Sequence, residues 1–439
     1  MKRNFFAHFD YILLFCVLTL VCLGISFIYS SGINSEGISV STEYIKQIIW
    51  ASIGLVLLII TALYDYRRIV RFLNWIALSM ILLLIYTKIF GRYVNGARSW
   101  IGVANFGIQP SEFCKIIYII YLANYFVQSQ NENPLRRFFM AMGIMFLPFA
   151  LILIQPDLGT ASVYIPVFIV MCFVAGVPLK FILFISLTGC LSIFFTMLPV
   201  WQAEIAHKSY KAISILTNSN YRFLVIMTTT LITFIGLAGT IVFKHNRHFF
   251  WITFIFSILT LSLISSYGMG KILKEYQLKR LIVYIDPNSD RLGAGWNIIQ
   301  SKIAIGAGGV WGRGFLNGTQ SHYRFLPQQS TDFIFSILSE EFGFAGGSLV
   351  FVIYLVIMIR ITFIMLSTKN VFGYYIASGI LGMFFFHFVV NVGMVMGIMP
   401  ITGIPLLFLS YGGSSLWTAM VCIGLLMSIN YRKLDFLES

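Results

Sequence analysis

The sequence predicts an all-α protein that crosses a membrane about twelve times and carries one large loop outside the cytoplasm. Hydrophobic residues make up 58% of the 439 residues and charged residues only 10%, against about 25% charged in an ordinary soluble domain. A water-soluble fold could not bury that much apolar surface, so the bilayer must solvate most of it. The apolar residues also fall in runs long enough to span a membrane, and one long glycine-rich stretch separates two groups of these runs.

The apolar runs set the number of spans. The first run follows Lys2 and Arg3 but is too long for a signal peptide and lacks a small-residue cleavage site, so it predicts a first transmembrane helix. A span needs about 20 apolar residues, or about 17 at minimum. Spans are therefore predicted near 11–30, 47–64, 70–90, 111–128, 138–155, 160–176, 180–199, 223–243, 249–269, 343–366, 372–395 and 406–429. An even number places both termini on one side.

Basic residues indicate which side is cytoplasmic. The short connections on the side of the termini are the ones rich in Lys and Arg, so that side is predicted to face the cytoplasm. The residues are Lys2, Arg3, Arg67, Arg68, Arg71, Arg136, Arg137, Lys244, Arg247, Arg432 and Lys433. The net charge of +14 thus suits membrane topology and an anionic headgroup or substrate rather than nucleic acid.

Cysteine usage points to neither a metal site nor disulfides. Each cysteine occurs singly in or beside an apolar run, without CxxC or Cys/His spacing. We interpret all six as packing residues. They are Cys16, Cys22, Cys114, Cys172, Cys190 and Cys422.

The spans divide the chain into four predicted segments. These are N-terminal helices over 1–199, an inserted helix pair over 200–270, an extracytoplasmic loop over 271–342 and C-terminal helices over 343–439. Loops of that length are usually functional or disordered, and this one is rich in Ile, Phe, Trp and Leu, which argues against disorder. Its eight Lys and Arg residues suit an anionic headgroup, although a solvated loop with incidental charges is the alternative. We expect the chemistry in this loop.

Asp332 lies in the sequence STDFIF at 330–335, where the polar loop meets the next apolar run. A carboxylate at such a boundary is partly dehydrated, which raises its proton affinity towards that of a useful general base. The alternative is a helix N-cap, a position that Asp favours. The two roles are compatible, and the sequence leaves both open.

Further charged residues lie in a short connection and at the start of a predicted helix. Asp157 follows a Gln-Pro pair between two predicted spans. We expect it mainly to cap the next helix, with neutralisation of a basic residue and substrate or metal contact as the alternatives. Glu112 and Lys115 lie three residues apart on a predicted helix, a spacing that permits an ion pair. We expect a structural role for that pair.

Two more segments carry weak signals. Arg98 and Trp100 lie in a predicted outer loop, where an indole often only anchors a helix at the membrane interface. The glycines in the stretch 411–415, at the last span, permit close backbone approach. Neither signal is specific alone.

The ordered set of motifs is specific. It comprises GARSW, QPSEFCK, QPDLGTA, the stretch from DPNSD at 286 to NGTQS at 321, FLPQQSTDFIFSILSEEFG, GIMPITGIP and LSYGGSS. Over nearly the whole chain this set resembles the SEDS family, and within it the RodA branch more than the FtsW branch. The phrases that favour the RodA branch are SKIAI at 301–305, FLNGTQS at 315–321 and FLP at 325–327.

The resemblance implies a peptidoglycan glycosyltransferase of the bacterial inner membrane. Such enzymes polymerise lipid II on the outer face during elongation and rod-shape maintenance, with a class B penicillin-binding protein that cross-links the product and with other rod-complex proteins. The family's essential aspartate matches Asp332, its loop tryptophan matches Trp100, its QPD aspartate matches Asp157, and the arginine before its DP pair matches Arg280.

The implied chemistry is an inverting glycosyl transfer. A sugar hydroxyl attacks the anomeric carbon and displaces polyprenyl pyrophosphate, with Asp332 as the base. Basic residues, alone or with a divalent cation such as Mg²⁺ or Mn²⁺, would stabilise the leaving group. No organic cofactor is expected. The substrate-binding candidates are Arg98, Trp100, Glu112, Lys115, Asp157, Arg280, Lys302 and Arg313.

Three features depart from the family pattern. Ser330 stands where the family usually has His, and Ser99 stands where it usually has an arginine directly before the tryptophan. Family members typically have ten spans, whereas this chain carries an extra pair within 200–270, for which the resemblance supplies no function.

Other functions stay open at this point. A lipid II flippase is the main alternative, because helices broken near residues such as Pro400 and Pro405 are typical of transporters. An FtsW-type division polymerase and a non-catalytic scaffold for the cross-linking enzyme are the others. A flippase should concentrate its polar groups at mid-membrane, whereas here they cluster in an outer loop and at helix mouths, which favours the enzyme.

Overall fold

The computed structural model describes residues 9–433 except 95, 104–105, 207, 209, 244–246, 273–279, 281 and 291–292. The helices in this part of the chain are α1 (Tyr11–Ser31), α2 (Glu43–Leu63), α3 (Leu73–Phe90), α4 (Pro110–Gln128), α5 (Pro134–Ile154), α6 (Leu158–Ser162), α7 (Tyr164–Val174), α8 (Leu179–Trp201), α9 (Lys211–Thr217), α10 (Ser219–Val242), α11 (Arg247–Ile272), α12 (Ala294–Gly308), α13 (Thr319–His322), α14 (Ile334–Ser367), α15 (Val371–Val395) and α16 (Gly413–Arg432). The strands are β1 (Arg92–Val94), β2 (Ala97–Val103) and β3 (Phe106–Ile108).

The chain is a multi-pass membrane protein. Within the described residues, ten helices are long and apolar enough to cross a membrane. Helix α4, with 19 residues, and the apolar stretch Leu158–Val174, which holds α6 and α7, coincide with two further predicted spans. Each predicted span therefore falls on a helix, as the sequence indicates. Of the basic residues used to assign the sides, Lys2, Arg3 and Lys244 lie outside the described residues.

The chain divides into two compact units. The first comprises Met1–Val177 and Gln300–Ser439, and the second comprises Pro178–Ile299. Helices α1–α7 and α13–α16 belong to the first unit, α8–α11 belong to the second, and α12 runs from the second into the first. The four-segment division at 199, 270 and 342 stays a prediction.

Helix α14 begins at Ile334, nine residues before the predicted span, and it is interrupted at Gly343 (φ 64°, ψ −160°). The interruption turns two backbone donors away from the helix. The N–H of Phe344 donates to the carbonyl of Gly309 at 2.9 Å, and the N–H of Ala345 donates to the carbonyl of Val310 at 3.0 Å. Carbonyl groups of the loop after α12 thus accept these two hydrogen bonds in place of helical carbonyls.

Backbone N–H groups of the glycine-rich loop after α12 donate hydrogen bonds to carbonyls of α14. The N–H of Arg313 donates to the carbonyl of Glu340 at 3.1 Å, and the N–H of Gly314 donates to the carbonyl of Glu341 at 2.9 Å. The contact requires glycine, because a Cβ on Gly312 would lie 2.0 Å from the carbonyl oxygen of Glu341. Residues 309–314 and 340–345 form one junction, which we call the loop–helix junction.

The predicted start of the last span at 406 is wrong, because helix α16 begins at Gly413. The apolar residues before it form a buried loop in which Phe408 has a positive φ of 68°. The hydroxyl of Tyr354 donates to the carbonyl of Leu407, and the N–H of Leu406 donates to the hydroxyl of Ser410 at 2.9 Å. These bonds fix a non-helical path that hydropathy does not indicate.

A small antiparallel sheet in the order β1-β2-β3 adds to the predicted all-α architecture. Arg98 and Trp100 lie on β2, where the sequence predicts a loop. Trp100 pairs with Arg92 on β1, and a Cβ on Gly107 would lie 3.0 Å from the Trp100 ring. The indole therefore packs across β3.

The substitution Gly343→Ala is expected to lower the thermal stability of the protein. The new Cβ would lie 2.4 Å from the backbone nitrogen of Gly312, and the backbone conformation favours glycine, so we expect a cost of about 2 kcal/mol. The measurement is the midpoint of thermal unfolding in detergent. Gly143→Ala is the control, since a Cβ there meets nothing within 4 Å. Equal midpoints for the two variants would contradict the assigned importance of the loop–helix junction.

Candidate active site

Asp332 lies half-buried in a turn directly before α14. Its backbone N–H donates to the carbonyl of Gln328 at 3.1 Å. The N-cap residue of α14 is Phe333, whose side chain makes no capping hydrogen bond. Asp332 is therefore not the N-cap residue of α14, contrary to the N-cap interpretation, and the general-base interpretation stays a prediction.

Asn391 on α15 holds the backbone of Asp332 against the loop that follows α15. Its Nδ2 donates to the carbonyl of Asp332 at 3.0 Å and to the carbonyl of Ile404 at 2.8 Å. The side chain of Asn391 is fully buried. A Cβ on Gly403 would lie 3.6 Å from Oδ2 of Asp332, so the loop passes close beside the carboxylate. One amide thus joins the STDFIF and GIMPITGIP motifs.

One turn earlier on α15, His387 holds the next carbonyl of the same loop. Its Nδ1 lies 3.0 Å from the carbonyl oxygen of Pro405, and its Nε2 lies 3.3 Å from Nζ of Lys115. Lys115 also pairs with Glu112 at 2.8 Å, and both side chains are buried. The predicted Glu112–Lys115 ion pair is confirmed, and it supports the loop beside Asp332 through His387.

Asp157 caps α6, as the sequence predicts. Its carboxylate accepts from the N–H of Thr160 at 3.1 Å and from Nε2 of Gln109 at 2.6 Å. The backbone N–H of Gln109 donates to the hydroxyl of Ser414 at 3.0 Å. Gln109 therefore connects the QPSEFCK, QPDLGTA and LSYGGSS motifs at one place.

The LSYGGSS motif also contacts the segment that carries Asp332. The N–H of Tyr411 donates to the carbonyl of Ser330 at 2.8 Å. The ring of Tyr411 lies 5.0 Å, between centroids, from that of Trp50. Ser330 thus fixes the turn through its backbone, a role that does not require the histidine usual in the family.

Two buried glutamates hold the loop that precedes Asp332. Glu340 accepts from the N–H of Thr319 at 2.8 Å, and Glu341 accepts from the N–H of Leu316 at 3.2 Å and from the hydroxyl of Ser30. Both glutamates are fully inaccessible to solvent. The sequence contains them only as part of a longer motif, and nothing in their spacing indicates their partners.

The basic candidates have different environments. Arg98, Lys302 and Arg313 are exposed, and Arg313 donates to the hydroxyl of Thr319 at 2.9 Å. Arg280 is half-buried and belongs to the second unit. All four stay predictions as substrate ligands, as does Trp100.

The cysteines and the possible metal ligands can be compared with the sequence predictions. The six cysteines are free: Cys16, Cys114, Cys172 and Cys422 are buried, as expected of packing residues, whereas Cys22 and Cys190 are exposed. In the part of the chain that the structure describes, no group of three or more His, Cys, Asp and Glu side chains could hold a metal ion. A protein-built cation site is therefore not evident there, and a divalent cation stays a prediction.

Comparison with known proteins shows what the chain as a whole is similar to. The sequence model of the FtsW/RodA/SpoVE family, described as "Cell cycle protein", matches residues 10–218 and 212–434. Peptidoglycan glycosyltransferase RodA of Treponema pallidum is 54% identical over 428 residues, which cover 98% of this chain and 99% of the relative. Stage V sporulation protein E of Bacillus subtilis is 32% identical over 430 residues, 96% of each chain.

Solved structures share the fold. A chain from a peptidoglycan synthase complex, described as coordinating polymerization and crosslinking, has a TM-score of 0.66 and 24% identity, with 97% of this chain and 98% of that chain covered. Rod shape determining protein RodA of Thermus thermophilus has a TM-score of 0.60 and 21% identity, with 97% of each chain covered.

The substitution Lys115→Met should destabilise the protein strongly, because it leaves the buried carboxylate of Glu112 without its cation, at a cost of about 3–5 kcal/mol. Adding Glu112→Leu removes the unpaired charge and should restore most of the loss in the thermal midpoint. Arg136→Met is the control, since its pair with Glu132 spans 3.8 Å and 71% of the Arg136 side chain is exposed. Its cost should stay below about 1 kcal/mol. A double variant no more stable than Lys115→Met would contradict this account of the pair.

Proposed function

The chain belongs to the FtsW/RodA/SpoVE family of cell cycle proteins, and on this premise we propose that it is a peptidoglycan glycosyltransferase of the RodA type. It polymerises lipid II into glycan strands for cell elongation and releases polyprenyl pyrophosphate. The observation that carries the proposal is the turn before α14, where the buried side chain of Asn391 holds the backbone of Asp332 beside the start of a membrane helix.

The reaction is one inverting displacement. The sugar hydroxyl oxygen of the incoming lipid II bonds to the anomeric carbon of the growing chain as the bond from that carbon to the pyrophosphate oxygen breaks. The carboxylate of Asp332 takes the hydroxyl proton. Attack on the face opposite the leaving group inverts the anomeric carbon and gives a β linkage.

Fixing the backbone of Asp332 suits this role. A carboxylate oxygen that acts as a general base must lie within about 3 Å of the oxygen whose proton it takes, and a misplacement of about 1 Å can lower the rate about 10²-fold. Asn391 donates from Nδ2 to the backbone carbonyl of Asp332 at 3.0 Å, which fixes the backbone of the turn against α15. We regard Asn391 as a positioning residue.

The leaving group requires positive charge, because pyrophosphate gains negative charge as the bond breaks. Arg98, Arg280, Lys302 and Arg313 are the proposed partners. Three of them are exposed, which leaves their charges accessible to a bulky lipid-linked substrate. No step is assigned to a divalent cation.

The active site faces the outside of the cytoplasmic membrane, and both termini face the cytoplasm. The charge pattern of the connections supports this orientation. A class B penicillin-binding protein is the proposed partner. The structural likeness to a chain of a synthase complex that coordinates polymerization and crosslinking supports such a pairing.

The direct test is polymerisation of lipid II by the purified protein. Asp332→Asn removes the base while keeping the side-chain size, so chain growth should fall by about 10²–10⁴-fold, with membrane insertion and thermal midpoint retained. Glu36→Gln, at an exposed carboxylate of the loop between α1 and α2, is the control and should polymerise normally. Full activity of Asp332→Asn would exclude the base assignment.

A wild-type protein that moves lipid II across the membrane of vesicles without polymerising it would favour the flippase.

A second test separates positioning from folding. Asn391→Ala should lower kcat by about 10²-fold through misplacement of Asp332, with KM nearly unchanged because Asn391 bonds only backbone atoms. Ser378→Ala is the control on the same helix, since its buried hydroxyl bonds the carbonyl of Tyr375 within α15 at 2.8 Å. A rise in KM with unchanged kcat for Asn391→Ala would refute the positioning role.

A further inference from the structure

A cavity of about 320 Å³ lies inside the second compact unit, in the part of the chain that the family resemblance leaves without a function. Its walls come from the C-terminal ends of α8, α9 and α11 and from the start of α10. Phe195, Pro199, Val200 and Leu216 supply apolar surface. The sequence-predicted topology places these helix ends on the outer face of the membrane.

Arg222 supplies a positive charge to the cavity wall. Of the ten described residues that line the cavity, Arg222 alone is ionised at neutral pH, and none of the ten is a carboxylate. Its guanidinium carbon lies 4.2 Å from the centroid of the Tyr267 ring, an arrangement that holds the cation over the ring face. Its Nη1 also donates to the carbonyl of Leu216 at 3.4 Å.

Arg222 lies near the start of α10, which runs over Ser219–Val242 with Asn218 as its N-cap. Leu216 and Thr217, which also line the cavity, are the last residues of α9. A guanidinium and an apolar wall therefore share one cavity, an arrangement that suits a phosphate joined to acyl chains.

We propose that this cavity binds the phosphate headgroup of an anionic glycerophospholipid of the outer leaflet. Arg222 pairs with the phosphate, and the first carbons of the acyl chains lie along Phe195 and Val200. A zwitterionic headgroup fits less well, because its own ammonium group would compete with Arg222 and would find no carboxylate among the lining residues. The helix pair at 200–270 thereby has a function of its own, as a lipid-binding element.

The test uses the purified full chain exchanged into vesicles of phosphatidylglycerol or phosphatidylcholine. After solubilisation, mass spectrometry measures the lipid retained for each protein. The wild-type protein should retain phosphatidylglycerol about tenfold more strongly than phosphatidylcholine, the effect of one charge-assisted hydrogen bond. Arg222→Gln should abolish that preference, and Arg222→Lys should keep part of it.

Arg136→Gln is the matched control, because it removes an exposed arginine elsewhere in the chain and should leave the preference unchanged. Equal retention of the two lipids by the wild-type protein would overturn the proposal, whatever the variants do. So would an unchanged preference in a folded Arg222→Gln variant. Displacement of the lipid by millimolar glycerol 3-phosphate would also overturn it, since the site would then bind a free anion.

Discussion

The break in helix α14 sets the main constraint on the first unit. A bilayer supplies no water to satisfy backbone groups, so the turn at Gly343 persists only because the loop over 309–314 supplies partners for both sides of the break. That exchange requires glycine at the contact points, as the 2.0 Å approach at Gly312 shows. The long loop is thereby attached to the helix whose first turn follows Asp332.

Several buried polar side chains in this unit contact backbone groups of the loops. Asn391 and His387 fix successive carbonyls of one loop, and Glu340 and Glu341 bind amides of another. Leaving such a group unpaired costs about 1–3 kcal/mol, so each bond makes an alternative loop path expensive. In the proposed enzyme, this scaffold positions one carboxylate, while exposed cations bind the substrate.

The sequence predicts the features that depend on residues close together in the chain. Apolar runs locate each span, the spacing of Glu112 and Lys115 predicts their ion pair, and the position of Asp157 predicts its cap. It fails where the partner is distant: Asn391 lies in an apolar run, and its two acceptors are 59 and 13 residues away in sequence. Hydropathy likewise predicts that Leu406–Leu409 belong to a span. In the structure these residues form a loop, in which Phe408 has a positive φ.

The proposed activity requires Asp332 to face the outside of the membrane, and cysteine labelling tests this most directly. A cysteine at the exposed position of Gln328, in a chain whose exposed Cys22 and Cys190 are replaced by alanine, would be treated with a membrane-impermeant maleimide in spheroplasts. A cysteine in place of Arg68, in a connection predicted to be cytoplasmic, provides the opposite reference. We expect labelling at 328 in intact spheroplasts and at 68 only after lysis. Labelling at 328 only after lysis would contradict the proposed enzyme.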